Sequence, residues 1–98
     1  MKLPVQVSAE ARRDLVAAGE WCLEREPDSL LPLELFDEFD QMLGLIAEHP
    51  DAFPVYEGEI RRAILRQFPY GIYYVIDSEC ISVLFFVAMV QEQGPDSR

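Results

Sequence analysis

Ninety-eight residues, 50% of them apolar, fit one domain with one modest core, spanning residues 1–98. Eighteen acidic side chains against eight basic ones give a net charge of −10, which disfavours nonspecific attachment to nucleic acid or anionic lipid. No run of about 20 apolar residues is present and Met1 to Val7 lacks the order of a secretory signal, so a soluble, cytoplasmic protein without membrane contact is expected.

At the N-terminus Leu3, Val5 and Val7 alternate with Pro4 and Gln6, the period of a short strand whose proline suits its beginning or an edge. Ser8 is an N-cap for a first helix, and Glu10 and Asp14 favour its positive end. Ala11, Leu15, Ala18 and Cys22 recur on one stripe, which Trp21 is expected to widen. After the break at Pro27-Asp28-Ser29 a second helix starts near Leu31 or Pro32, with Leu35, Phe39, Met42, Leu43 and Ile46 as its apolar stripe. Two amphipathic helices with so short a link predict an antiparallel hairpin. Glu34, Asp37, Glu38 and Asp40 face elsewhere and read as a solvated face, since no histidine accompanies them as a metal ligand. His49-Pro50 caps and stops the helix.

Residues 51–59 read as a loop, and Glu57 and Glu59 around Gly58 as solvated carboxylates. From there the period becomes two: Ile60 to Phe68 predicts a strand, Pro69-Tyr70-Gly71 a connection, and Ile72 to Ile76 a second strand. Asp77-Ser78-Glu79 makes a polar turn before Ile81 to Val90, apolar on both faces and therefore expected at the centre of the sheet. The order β-α-α-β-β-β defines an α+β fold, an N-terminal strand and helical hairpin followed by a three-stranded antiparallel sheet.

Catalytic motifs are missing: there is no G-x-S-x-G, H-E-x-x-H or phosphate loop, and the lone histidine has no matching nucleophile. Cys22 and Cys80 lack C-x-x-C spacing and read as small buried side chains. No catalytic residue, metal or cofactor is assigned. The distinctive composition lies elsewhere. Between Glu10 and Asp51 stand twelve acids and three bases, whereas residues 60–70 hold Arg61, Arg62 and Arg66 and no acid. Tyr70, Tyr73 and Tyr74 follow. Guanidinium forks bind phosphate and tyrosines stack on bases, so such a face suits RNA. The same spacing suits arginines paired with the acidic helices or with a partner's carboxylates, the tyrosines packing with their hydroxyls at the rim.

The pattern R-R-x-x-L-x-x-F-P-Y-x-I-Y-Y from Arg61 to Tyr74, preceded by H-P-x-x-F-P from His49, resembles the ParE branch of the ParE/RelE toxin superfamily, and the similarity runs from Val5 to about Ala88. The resemblance implies a helical hairpin packed on a small sheet and the toxin half of a bacterial type II toxin–antitoxin pair, neutralised by a cognate antitoxin in a hetero-oligomer. RelE-like relatives cut messenger RNA in the ribosome with basic side chains, whereas ParE-like relatives inhibit DNA gyrase. Arg62 matches a basic position of the ribonucleases, while Ile64 and Gly71 match two others and supply no proton donor. Tyr70, Tyr73 and Tyr74 match the shared scaffold. Where many relatives carry a His and an Arg-rich turn, this chain has Ala88 and Val90-Gln91-Glu92, then Gly94-Pro95. A ParE-like gyrase inhibitor that binds through Arg61, Arg62, Arg66, Tyr70, Tyr73 and Tyr74, without direct nucleic-acid binding, is therefore expected. The alternatives are a non-toxic interaction protein on the same scaffold and a ribosome-dependent endoribonuclease.

Overall fold

A computed structural model describes residues 3–89. Strand β1, Val5–Val7, leads directly into helix α1, Ala9–Arg25. Ser8 makes the junction: its Oγ accepts from the Ala11 amide at 2.9 Å and donates to the Leu84 carbonyl at 3.0 Å, while its own amide donates to Val83 O at 3.0 Å. The cap thus ties the helix start to the far end of the chain. Helix α1 buries Ala11, Ala18, Gly19 and Cys22. Trp21 does not widen this stripe; it is 53% exposed, because one residue before Cys22 lies about 100° away around the helix. Helix α2, Leu31–Glu48, has Pro32 in its first turn and buries Leu35, Phe39, Met42 and Ile46. Gly19 lets the hairpin close, since a Cβ there would lie 2.6 Å from the Phe36 ring. His49 is the helix C-cap and is exposed, its amide donating to Leu45 O at 2.8 Å.

The α+β order is the expected one, but the sheet is larger. Strands β2 (Val55–Glu57), β3 (Ile60–Ile64), β4 (Tyr70–Ile76) and β5 (Ile81–Ala88) join β1 in one five-stranded sheet of order β1-β5-β4-β3-β2. β1 runs parallel to β5, and the other pairs are antiparallel. β2 replaces part of the expected loop: Val55, Tyr56 and Glu57 are all exposed, so no apolar alternation announces them, and Gly58 (φ 58°) supplies the left-handed turn back into β3.

β3 stops at Ile64 rather than continuing to Phe68. The cause is Glu38 of α2, whose carboxylate accepts from the amides of Arg66 and Gln67 and so takes the donors a ladder would use. Leu65 N closes the turn onto Tyr70 O at 2.9 Å. Glu38 is therefore a structural clamp, not part of a purely solvated face.

β5 is an interior strand, but the middle of the sheet is β4. Tyr73 pairs with Phe85 and Tyr74 with Val83, which leaves Leu84 as an extra residue in a bulge. The phase of burial changes across it: Ile81 and Val83 are buried, then Phe86, while Phe85 and Val87 turn outward at 41% and 42% exposure. That phase change makes the strand read as apolar on both faces. The expected continuation to Val90 lies outside the described residues.

Both helices cover one face of the sheet, where Leu35, Phe39, Met42 and Ile46 meet Ala63, Ile72, Tyr74, Ile81, Val83 and Phe86. Phe39 meets Phe86 edge-on at 5.2 Å. Tyr74 is fully buried and donates its hydroxyl proton to Pro50 O at 2.7 Å, and burial pushes its pKa up to about 12. No described element covers the opposite face.

Replacing Ser8 by Ala removes both the helix cap and the Leu84 contact; a loss of about 2 kcal/mol is expected in urea unfolding. Tyr74 keeps its proton to about pH 12 when folded, whereas an unfolded tyrosine ionises near 10, so stability falls as pH rises through that window. Absorbance titration should show a late tyrosinate step near 12 that Tyr74→Phe abolishes.

Candidate functional site

Alternation along β3 separates the two adjacent arginines. Arg61 pairs in register with Tyr74 on the helix side, and Arg62 with Tyr73 on the open side. The Arg61 guanidinium is used internally: Nη1 donates to Phe53 O at 2.6 Å and to Asp51 O at 3.3 Å, and Nη2 lies 3.8 Å from the Asp51 carboxylate. Phe53 packs edge-on to Tyr74 at 6.4 Å, so Arg61 and Tyr74 together hold the loop that follows α2.

Arg62 is arranged differently. Its guanidinium carbon lies 4.9 Å from the Tyr56 ring centre and 5.9 Å from that of Tyr73, and Nη1 donates to the Tyr73 hydroxyl at 3.4 Å. Tyr56 meets Tyr73 edge-on at 5.0 Å, Tyr73 meets Phe85 at 6.2 Å, and the Tyr73 hydroxyl reaches Met89 Sδ at 3.8 Å. Gly71 makes this packing fit, because a Cβ there would stand 3.2 Å from Met89 Sδ and 3.3 Å from Arg62 Cγ. The rings hold the cation over an apolar field in which Tyr56, Ile64, Phe85 and Val87 are all more than 40% exposed.

The charge pattern sharpens this face. Among the described strands, β1, β3, β4 and β5 contain no acidic residue, and Glu57 at the rim is the only one. In a chain of net charge −10, the open face carries a guanidinium and no facing carboxylate among its described strand residues. The face can bind an anionic or apolar group through Arg62 and the rings.

Of the six residues singled out from the sequence, the structure brings Arg62 and Tyr73 together on the open face. Arg61 and Tyr74 stabilise the loop. Tyr70 stacks on Phe86 at 4.9 Å on the helix side, and burial raises its pKa. Arg66 is exposed in the 65–70 turn, in a cleft with Glu34, Asp37 and Glu38. Tyr56 was missing from the set; the V-Y-E-G-E-I order around Gly58 is the hairpin signal that would have found it. The positions Val90-Gln91-Glu92 and Gly94-Pro95 lie outside the described residues.

A helical hairpin on one face of a small mixed sheet, with an aromatic–arginine cluster on the other, defines the class: an α+β fold with an open sheet face. A chain of the chromosomal ParDE TA system from P. aeruginosa shares the fold, with a TM-score of 0.66 over 89% of this chain and 96% of that one, at 12% identity. No protein-family model and no curated protein matches the sequence.

The two arginines should separate by stability. Arg61→Met strips a charged donor from two carbonyls and should cost about 1–2 kcal/mol. Arg62→Met gives up two cation–ring contacts and the long hydrogen bond to the Tyr73 hydroxyl, and should cost less, about 0.5–1 kcal/mol. Chemical denaturation of the two variants in parallel checks the order, and equal losses would contradict the division of roles.

Proposed function

We propose that this chain is a ParE-like toxin of a bacterial type II toxin–antitoxin pair. In this reading it is a single cytoplasmic domain that works by binding, is neutralised in a hetero-oligomer with a cognate antitoxin, and inhibits DNA gyrase. It needs no cofactor. The observation that carries the reading is the open sheet face. Arg62 is held over Tyr56 and Tyr73 among exposed apolar side chains, on a fold shared with a chain of a ParDE TA system. Such a surface is built for a protein partner: exposed aromatics supply contact area and a seated guanidinium selects a carboxylate.

The ribonuclease alternative has less to stand on. Stabilising a pentacovalent phosphate needs several convergent donors and a proton acceptor. Around Arg62, Ile64 is an exposed aliphatic side chain and Gly71 is the slot that seats the arginine's stem. The non-toxic alternative draws on β5, which ends at Ala88 where resembled toxins carry a histidine.

Inducing the chain alone should arrest growth and relax plasmid supercoiling while leaving messenger RNA uncut by primer extension. Co-expression with the small neighbouring gene should restore growth and yield a stable complex. Arg62→Glu should weaken that complex about tenfold or more, the effect of reversing a charge at a packed interface. Codon-phased cleavage would sink the binding mechanism, and normal growth under full induction would favour the non-toxic alternative.

A further inference from the structure

The chain leaves the sheet beside Arg62. β5 ends at Ala88, and the Met89 amide is pinned by donating to Pro69 O at 2.7 Å. The Met89 side chain lies on the open face, its Sδ 3.8 Å from the Tyr73 hydroxyl. Gly71 brings Met89 and Arg62 to one spot, since a Cβ there would meet Met89 Sδ at 3.2 Å and Arg62 Cγ at 3.3 Å. Met89 therefore hands the chain on next to the stem of the seated arginine.

The Arg62 guanidinium lies over the Tyr56 and Tyr73 rings and donates to the Tyr73 hydroxyl. None of these groups is a carboxylate, and Arg62 has a further interaction besides them. After Met89 the sequence reads V-Q-E-Q-G-P-D-S-R, in which Glu92 is the first charged residue, three positions on. Three extended residues span about 10 Å and a glutamate side chain adds its own length, which carries a carboxylate from Met89 to the guanidinium. Asp96, the next acid, lies beyond Gly94-Pro95, a turn-forming pair, and would close a longer loop.

We infer that Glu92 folds back onto the open face and pairs with Arg62, so that the chain's own carboxylate occupies the seat that a partner's carboxylate must take. Charge and connectivity select this occupant. β3, β4 and β5 bring no acid of their own to Arg62, and a carboxylate on so short a tether stands at an effective concentration of about millimolar without any partner. An exposed ion pair of this kind shifts an equilibrium only about two- to fivefold, which suits a contact that must yield. The rings stay open beside it, with Tyr56 51% and Phe85 41% exposed. Displacement of Glu92 by a partner rests on the binding role proposed above for this face; the pair itself does not.

Zero-length cross-linking of the full chain reads the contact directly. Lys2 is the sole lysine, so Arg62→Lys adds one new side-chain amine and keeps the positive charge. Carbodiimide activation at low protein concentration should join position 62 to Glu92 within one chain, as read by peptide mass spectrometry, and adding Glu92→Gln should abolish that product. Circular dichroism of both variants should match the parent. A link from position 62 to Glu57, Glu59 or Asp96, a link between two chains, or no link at position 62 overturns the inference. In the chain with Arg62 intact, the Arg62 Nε–Hε resonance, assigned by its loss in Arg62→Lys, should move on Glu92→Gln. It should then respond to sodium acetate at a concentration about two- to fivefold lower than in the parent. A response to acetate unchanged by Glu92→Gln also overturns the inference. Neither readout involves a partner, growth or supercoiling, so this contact and the antitoxin reading fail separately.

Discussion

The bulge at Leu84 and its capture by the start of α1 set the geometry on which both faces of the sheet depend. An extra residue in β5 shifts the strand's phase, so Phe86 turns inward while Phe85 and Val87 turn outward. The groups this disturbs are met from 72 to 76 residues away in sequence: Ser8 donates to the Leu84 carbonyl, and Asp14 receives the Phe86 amide. One serine thereby satisfies a helix terminus and a strand irregularity together. The inward Phe86 becomes the floor under Tyr70, and the outward Phe85 becomes the neighbour of Tyr73. Without the phase change, neither the Tyr70–Phe86 stack nor the aromatic cluster would have its present lining.

Charge is segregated along the same division. The helices carry half of the carboxylates, nine of eighteen, one of which, Glu38, reaches across to end β3. The strands carry almost none. A strongly acidic chain that keeps its open sheet face free of acidic strand residues avoids repelling a carboxylate-bearing partner there, while its overall charge discourages nucleic acid. This partition separates a basic stretch that looks suited to RNA in one dimension into three different roles. Arg61 anchors a loop, Arg62 is seated among rings, and Arg66 stands at a turn facing acidic α2 residues.

Periodicity made the helical hairpin, β4 and the order of elements legible, because each of those segments presents a buried face continuous in sequence. Leu35, Phe39, Met42 and Ile46 could be assigned to the core from spacing alone, and all are buried. β2 could not, since its three residues are all exposed and its existence rests on pairing with β3. The end of β3 was equally hidden, being decided by a glutamate 28 residues earlier. At the open face, Arg62 and Tyr73 were found by composition. Their separation from Arg61 and Tyr74 follows from strand alternation, but Tyr56 joins them only through the hairpin at Gly58. Long-range hydrogen bonds and aromatic packing, rather than local propensity, decided what sequence reasoning missed.

The central claim is that the chain works by binding a protein partner on the open sheet face around Arg62. Hydroxyl-radical footprinting of the complex with the neighbouring gene's product addresses it most directly, because Tyr56 and Phe85 are both exposed in the chain by itself. On this account both lose reactivity in the complex. Unchanged reactivity at Tyr56 and Phe85, with protection confined to Leu30 and Leu33 at the helical hairpin, would contradict it.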